Sequence, residues 1–284
     1  MKRSVIIVAL ALAELFNSGC NSPKPGPEKA QHQFIKLPSK AINIKLHSYF
    51  SDLKTIDVSI QGKSHKFLLD TGGGITIITP ALAKSLGQTP FGRITGHRMD
   101  GELVVMQKCD RLDAVVGDSW SVHLSPVAVF DLDKLLPKEL PHLDGVISLD
   151  CFRGQVLTLN IEANQLLLHS KEDAESAIQT NGITARFATG DDGSGLTLIT
   201  PVEGKRGKLW FLLDSGNCAG TFVSTFVLQE HLIDINDKGL VELSVGGRNP
   251  IAIPVVPQQI NYDGVIGTNF LKARPITLDL RQAP

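Results

Sequence analysis

Short runs of alternating hydrophobic and polar residues make up most of this chain, and glycine, proline and asparagine interrupt them every few residues. The runs TIDVSIQ (55–61) and QVLTLNIE (155–162) show the two-residue period of strands that bury one face. Helix-like patterns are few and short, at 80–87, 130–140 and 225–232. The pattern therefore predicts an all-β fold with a few short helices.

Three features occur twice, in the same order. The first is a hairpin-like pair with a Gly-Lys turn, as in SIQGKSHKFLLD and PVEGKRGKLWFLLD. The second is an acidic triplet, Asp70-Thr71-Gly72 and Asp214-Ser215-Gly216, which follows FLL in both copies. The third is Asp-Gly-Val-Ile, in DGVISLDCF and DGVIGTNFL. Repetition of three features in one order indicates an internal duplication.

The duplication predicts two related lobes, residues 41–172 and 183–284. Residues 173–182 are polar and contain glycine, so we expect a linker between the lobes. The first copy is longer than the second, and the extra length includes GRITGHRMDGELVVMQ. Two strand-like arms around a glycine-flanked polar tip predict a projecting hairpin in the first lobe alone.

Residues 1–20 have basic residues followed by an apolar run, which is typical of a secretory signal peptide. The ending Ser18-Gly19-Cys20 resembles the lipobox of bacterial lipoproteins, which implies lipidation at Cys20. Ordinary cleavage and an uncleaved anchor are the alternatives, and all three place the protein outside the cytoplasm, in the periplasm or anchored to the outer membrane. Residues 21–40 are rich in proline and polar residues, and we expect a flexible tether.

Composition narrows the classes of function. The 284 residues are 42% hydrophobic, and 28 basic side chains stand against 29 acidic ones. A formal net charge of −1 gives no electrostatic reason to expect nucleic acid or a membrane surface as a partner. Besides Cys20, the cysteines are Cys109, Cys151 and Cys218, which allow at most one disulfide and leave its pairing open. No cysteine or histidine spacing indicates a metal site.

The two triplets, each after FLL and before an apolar run, resemble those of the aspartic proteases. The first half, with DTGGGITIITPALAKSLG, a hairpin and LDGVISLDCF, is particularly similar to the bacterial retropepsin-like group. The resemblance implies a bilobal fold of two β-barrel-like lobes with the site between them. It also implies a monomer, because this chain carries both triplets, and it implies no cofactor and a peptide or protein as substrate.

The resemblance assigns catalysis to Asp70 and Asp214. Two carboxyl groups within about 3 Å cannot both ionise readily, so they share one proton and their pKa values separate. The ionised partner can take a proton from water while the protonated one donates to the substrate carbonyl. Thr71, Gly72, Ser215 and Gly216 would support this pair, with the two hydroxyls bonding across to the opposite loop.

By the same resemblance, the hairpin is a flap over the substrate, with its tip at Gly96, His97, Arg98, Met99, Asp100 and Gly101. His97 and Arg98 could equally be solvated. Asp144 and Asp263 begin the two copies of the third repeated feature. We interpret them as turn residues, with a catalytic role as the alternative.

Two departures from the family pattern raise an alternative function. Gly73 and Asn217 follow the triplets, where the family usually has serine, threonine or alanine. Asn217 could supply a hydrogen-bond donor or distort its loop, and Ser148 replaces the glycine found at Gly267 in the second copy. The sequence therefore predicts an aspartic endopeptidase, with a catalytically inactive peptide-binding protein of the cell envelope as the alternative.

Overall fold

The structure of the protein is a computed structural model, and it describes residues 37–134, 136, 139–178, 183–190, 193–245 and 249–284. The predicted signal peptide, Cys20 and most of the predicted tether lie outside the described residues and stay predictions. Within the described ranges, no helix has the length and apolarity needed to cross a membrane.

The first half of the chain is built almost entirely of strands. They are β1 (Ile42–Lys45), β2 (His47–Ser48), β3 (Lys54–Ile60), β4 (Lys63–Leu69), β5 (Ile77–Ile78), β6 (Phe91–His97), β7 (Leu103–Cys109), β8 (Leu112–Val116), β9 (Trp120–Leu124), β10 (Val127–Val129), β11 (Gly145–Ile147), β12 (Val156–Asn160) and β13 (Gln165–Leu168). Helix α1 (Pro80–Ser85) and two 3-10 helices, Leu132–Lys134 and Leu149–Phe152, accompany them.

The second half repeats this organisation with more helix. Its strands are β14 (Arg186–Ala188), β15 (Thr197–Gly204), β16 (Gly207–Leu213), β17 (Thr221–Ser224), β18 (Leu240–Leu243), β19 (Ile251–Gln258), β20 (Gly264–Ile266) and β21 (Ile276–Asp279). Its helices are α3 (Thr225–Gln229) and α4 (Thr268–Ala273), and α2 (Ala174–Ile178) precedes β14.

Each half forms its own curled sheet, and these two sheets are called the first and second lobe below. The first lobe is a ten-stranded sheet in the order β6-β7-β10-β5-β11-β4-β3-β8-β9, with β2 paired to β3. The second lobe is a seven-stranded sheet in the order β14-β15-β16-β20-β17-β19-β18. A third sheet, β1-β13-β12-β21, pairs strands from the two halves of the chain. The all-β bilobal fold expected from the sequence is confirmed.

The two lobes share one strand arrangement. In the first lobe β11 lies between β4, which runs parallel to it, and β5, which runs antiparallel. In the second lobe β20 lies between β16 and β17 in the same two senses. The inner strands are nearly continuous apolar runs because both of their faces are buried.

Two helical segments differ from the sequence-based expectation. Residues 130–140 contain only a single 3-10 turn among the described positions. The predicted linker contains helix α2, whose Ala174 is fully buried, and Ser170 bonds to Asp173 just before it. Anchoring of one small apolar residue is enough to order a segment whose composition is otherwise that of a solvated loop.

Candidate active site

The two acidic triplets lie at equivalent places, directly after β4 and β16. The amide of Asp70 donates to the carbonyl of Ile147 at 2.9 Å, and that of Asp214 to Ile266 at 3.0 Å. Each acceptor is the last residue of the parallel strand next to the triplet. Because buried strands hold both sides of each loop, the position of each aspartate is fixed by the core of its own lobe.

Reciprocal hydrogen bonds join the two loops. The Thr71 hydroxyl donates to the carbonyl of Leu213 at 2.9 Å, and the Ser215 hydroxyl donates to the carbonyl of Leu69 at the same distance. Each hydroxyl oxygen also accepts the backbone amide of the other residue, at 3.1 Å for Thr71 N–H and 3.0 Å for Ser215 N–H. Both side chains are buried, so these four bonds form a closed, fully satisfied network.

The third residue of each triplet must be glycine because the opposite carboxyl group lies against it. A β-carbon on Gly72 would lie 2.5 Å from Cγ of Asp214, and one on Gly216 would lie 2.5 Å from Cγ of Asp70. The same glycines donate their amides to the aspartates of their own triplets, at 2.9 Å for Asp70 and 2.8 Å for Asp214. The triplets therefore bring both carboxyl groups to one point.

The carboxyl groups of Asp70 and Asp214 are hydrogen-bonded to each other. Burial is the main cause that raises the pKa of both groups, and the negative charge of Asp70 raises that of Asp214 further, to well above its ordinary value. The amides of Gly72 and Gly73 oppose the rise at Asp70. The two groups titrate together, so this environment favours one proton shared by the pair.

The residues after the triplets place no side-chain donor on either carboxyl group. Gly73 has no side chain, and a β-carbon there would lie 2.9 Å from Oδ2 of Asp70. The Asn217 side chain closes its own loop, since its amide donates to Gly220 and its oxygen accepts from Ala219. Asn217 reaches Asp214 through its backbone amide only. The Asn217 side chain therefore closes its own loop and is not a donor to the aspartate.

Strands β6 and β7 form the hairpin predicted in the first lobe. The tip is closed by the Arg98 amide bonding to the Glu102 carbonyl and the Gly101 amide to the Arg98 carbonyl, at 2.8 and 2.9 Å. The side chains of His97, Arg98 and Asp100 are exposed, whereas Met99 is only partly exposed. The tip touches the second lobe, where the Asn261 amide donates to the Met99 carbonyl at 2.9 Å.

Asp144 and Asp263 lie away from the carboxyl pair and have a structural role. The Asp144 carboxylate accepts the amide of Lys66 at 3.0 Å, and the Asp263 carboxylate accepts that of Trp210 at 2.8 Å. Each therefore joins the start of the third repeated feature to the strand that leads into the triplet.

Sequence reasoning missed a second pair of equivalent contacts beside the site. Asp150 accepts from both the amide and the hydroxyl of Thr76, at 2.9 and 2.7 Å, and burial raises its pKa to about 6. At the equivalent place in the second lobe, the Thr221 hydroxyl donates to Asn269 at 2.8 Å. Alignment of the two copies of the third feature, LDCF against TNFL, could have shown this pair.

The cysteines form no disulfide among the described residues. Cys109 and Cys151 are buried thiols, and Cys218 is partly exposed. The described part of the chain also has no group of three or more histidine, cysteine or acidic side chains placed to hold a metal ion.

Comparisons with known proteins agree with this geometry. A family model described as aspartyl protease matches residues 56–150, about a third of the chain, which include the first triplet and the hairpin. A search of curated proteins found no match. Among solved structures, basic 7S globulin from soybean is similar with a TM-score of 0.51 and 7% identity, over 87% of this chain and 94% of that chain. The chain therefore has an aspartic-protease-like bilobal fold, and its first half carries an aspartyl protease signature.

Proposed function

We propose that this protein is an aspartic endopeptidase in which Asp70 and Asp214 activate a water molecule. The observation that carries the proposal is the hydrogen-bonded carboxyl pair, held by the cross-bonded Thr71 and Ser215. The family match and the fold support the general class.

The environment of the two carboxyl groups gives each of them a role. Ionised Asp70 takes a proton from the water as the water attacks the peptide carbonyl carbon. Protonated Asp214 donates its proton to the carbonyl oxygen, so no covalent intermediate is needed. The hairpin, whose tip contacts the second lobe, would hold an extended peptide by strand-like backbone hydrogen bonds. Because one chain supplies both aspartates, we propose that the active species is a monomer.

The test is separate replacement of each aspartate. We expect Asp70→Asn and Asp214→Asn each to lower hydrolysis of denatured protein substrates by about 10²–10⁴-fold, the usual contribution of a general acid or base. Activity should be measured from acidic to neutral pH, with circular dichroism to show that the fold is kept. Full activity in either variant would contradict the proposal.

Gly73 and Asn217 favour a second candidate, a peptide-binding protein without catalysis. Neither residue places a side-chain donor on the aspartates, so the charged form of the pair has less support than hydroxyl neighbours would give. Binding of a pepstatin-type inhibitor without cleavage of any member of a mixed peptide library would favour this candidate.

A further inference from the structure

The hairpin tip packs one apolar side chain against an apolar cluster of the second lobe. Four buried residues form this cluster, and the place where Met99 packs against them is called the second-lobe pocket below: Leu212, Phe222, Ile260 and Val265. Met99 and Tyr262 pack against these four. Met99 is therefore the tip residue whose side chain leaves solvent for the second lobe.

The backbone holds Met99 in this place. Its carbonyl accepts the Asn261 amide at 2.9 Å, and Asn261 lies between two residues of the cluster, Ile260 and Tyr262. A β-carbon on Gly101 would lie 3.1 Å from Nδ2 of Asn261, so the turn and this loop are in close contact. One hydrogen bond and one apolar side chain thus hold the hairpin against the second lobe.

The pocket is next to the carboxyl pair. Leu212 precedes Asp214 by two residues on β16, and Val265 is its register partner on β20. Burial and the nearby charge of Asp214 both raise the pKa of Tyr262, which places that side chain within electrostatic reach of the site. An extended peptide crossing the carboxyl pair would therefore pass this pocket.

Among the described residues, the equivalent region of the first lobe has no hairpin tip from the opposite lobe packed against it. Strand register equates Leu68, Ile77 and Val146 with Leu212, Phe222 and Val265. The buried members of the first-lobe cluster include Leu53, Met106, Leu132 and Leu143 of its own lobe. Its contact from the second lobe is Cys218, which lies in the loop after the second triplet and not at the end of a hairpin. The second-lobe cluster is completed by Met99, which comes from the opposite lobe at the end of a hairpin.

We propose that Met99 is a built-in occupant of a substrate side-chain subsite in the second lobe, displaced only by peptides with an apolar side chain of similar length. This rests on the proposed function, because it names which peptides the same site accepts. A peptide with a polar side chain at that position gains nothing from the pocket and leaves the hairpin latched.

Methionine methyl NMR tests the occupancy without relying on hydrolysis. The chain has three methionines, Met1, Met99 and Met106. Met99→Leu assigns the signal of interest, and Met106, buried at the base of the hairpin, is the internal control. We expect the Met99 methyl of the free full-length protein to show the ring-current shift of a methyl beside Phe222 and Tyr262. A Met99 signal at the position of exposed methionine would overturn the proposal whether or not any peptide is cleaved.

The ligand for the titration is an alanine hexapeptide with a reduced, uncleavable central amide and norleucine on both sides of it. We expect this peptide to move the Met99 signal to the position of an exposed methionine. The same peptide with glutamine in place of norleucine should bind at least about tenfold more weakly. If calorimetry shows binding but the Met99 signal does not move, the proposal is overturned and the proposed function is left intact. The same conclusion follows if neither peptide displaces Met99. Displacement by norleucine in a protein that cleaves nothing would support the subsite and overturn the proposed function.

Kinetics give a second measurement. Met99→Ala should lower KM for norleucine peptides by about tenfold, since partial burial of a methionine side chain stabilises the latched hairpin by that factor. Leu103→Ala, which truncates an exposed side chain on the same hairpin, should leave KM unchanged, and Met99→Leu should restore the parent value. An increase in KM for Met99→Ala would mean that Met99 only supports the hairpin, and would overturn the proposal.

Discussion

At the scale of single residues, the site depends on how little space separates each carboxyl group from the opposite loop. Gly72 and Gly216 leave no room for a β-carbon, and this close approach buries both aspartates together. Burial and mutual repulsion disfavour the doubly charged pair, which keeps one proton on it. Gly73 lies at the edge of this arrangement, where a side chain would meet Asp70 alone.

Replacement of Gly73 by serine should shift the pH dependence of hydrolysis toward acid. A hydroxyl that donates to Asp70 favours its ionised form and so lowers the pKa of the pair, which moves the acidic limb of the activity profile to lower pH. Gly73→Ala is the matched control, because it adds the same β-carbon 2.9 Å from the carboxylate without a donor. An unmoved profile in Gly73→Ser, or the same shift in both variants, would remove the idea.

At the scale of elements, the 3-10 helix Leu149–Phe152 and helix α4 occupy equivalent positions after β11 and β20 but are held differently. In the first, Thr76 donates to the carboxylate of Asp150, and in the second the Thr221 hydroxyl donates to the side-chain oxygen of Asn269. The lobes thus use an ionisable side chain and a neutral one for the same connection. The first lobe alone should therefore depend on pH at this point.

The stability of the parent protein should fall relative to Asp150→Asn as pH rises. Burial raises the pKa of Asp150 from 3.8 to about 6, so between these values the folded protein binds a proton that the unfolded chain does not. The stabilisation of the folded protein by this proton is fully present below about pH 4 and is lost as pH rises past 6. The loss in the free energy of unfolding is up to about 3 kcal/mol. Urea unfolding of both proteins at several pH values from 4 to 7.5 measures the difference. Groups common to both proteins cancel, and a difference independent of pH would contradict the prediction.

At the scale of the whole molecule, the two halves are tied together outside the site as well as within it. Strand β21, at the end of the chain, pairs antiparallel with β12 of the first half. The Leu280 amide and carbonyl extend this ladder through bonds to Gln155 and Gly154, at 2.8 and 2.9 Å. Lys272 of α4 also forms an ion pair with Asp52 at 2.9 Å. The relative position of the two aspartates therefore depends on contacts far from them.

Truncation of Leu280 tests this coupling. Leu280 is fully buried, and Leu280→Ala should lower the free energy of unfolding by about 2–5 kcal/mol through lost burial and the cavity left behind. Ile276→Ala, at the start of the adjoining strand β21 and only half-buried, is the control and should cost less. Urea unfolding followed together with activity should show both lost in one transition. Hydrolysis that survives after β21 has separated would contradict the coupling.

Much of the architecture could be predicted from local sequence. The two-residue period predicted strands, the repeated features predicted two equivalent strand arrangements, and both follow from side-chain direction on a strand. The glycine-flanked stretch predicted the hairpin of β6 and β7. Helix α4 was missed because its large apolar residues, Phe270 and Leu271, are adjacent and show no helical period. Helix α2 was missed because its one buried residue, Ala174, gives no periodic signal either.

The sequence by itself determined which residues approach each other at the centre, because the duplicated triplets, their glycines and the apolar strands before them are local signals present twice. Only the tertiary structure decided how their neighbours act. The loop-closing role of Asn217, the raised pKa of Asp150 and the docking of Met99 on the second lobe all depend on contacts between segments distant in sequence or on burial. Neither long-range contacts nor burial can be read from a residue and its chain neighbours, because both arise only when separate strands pack together.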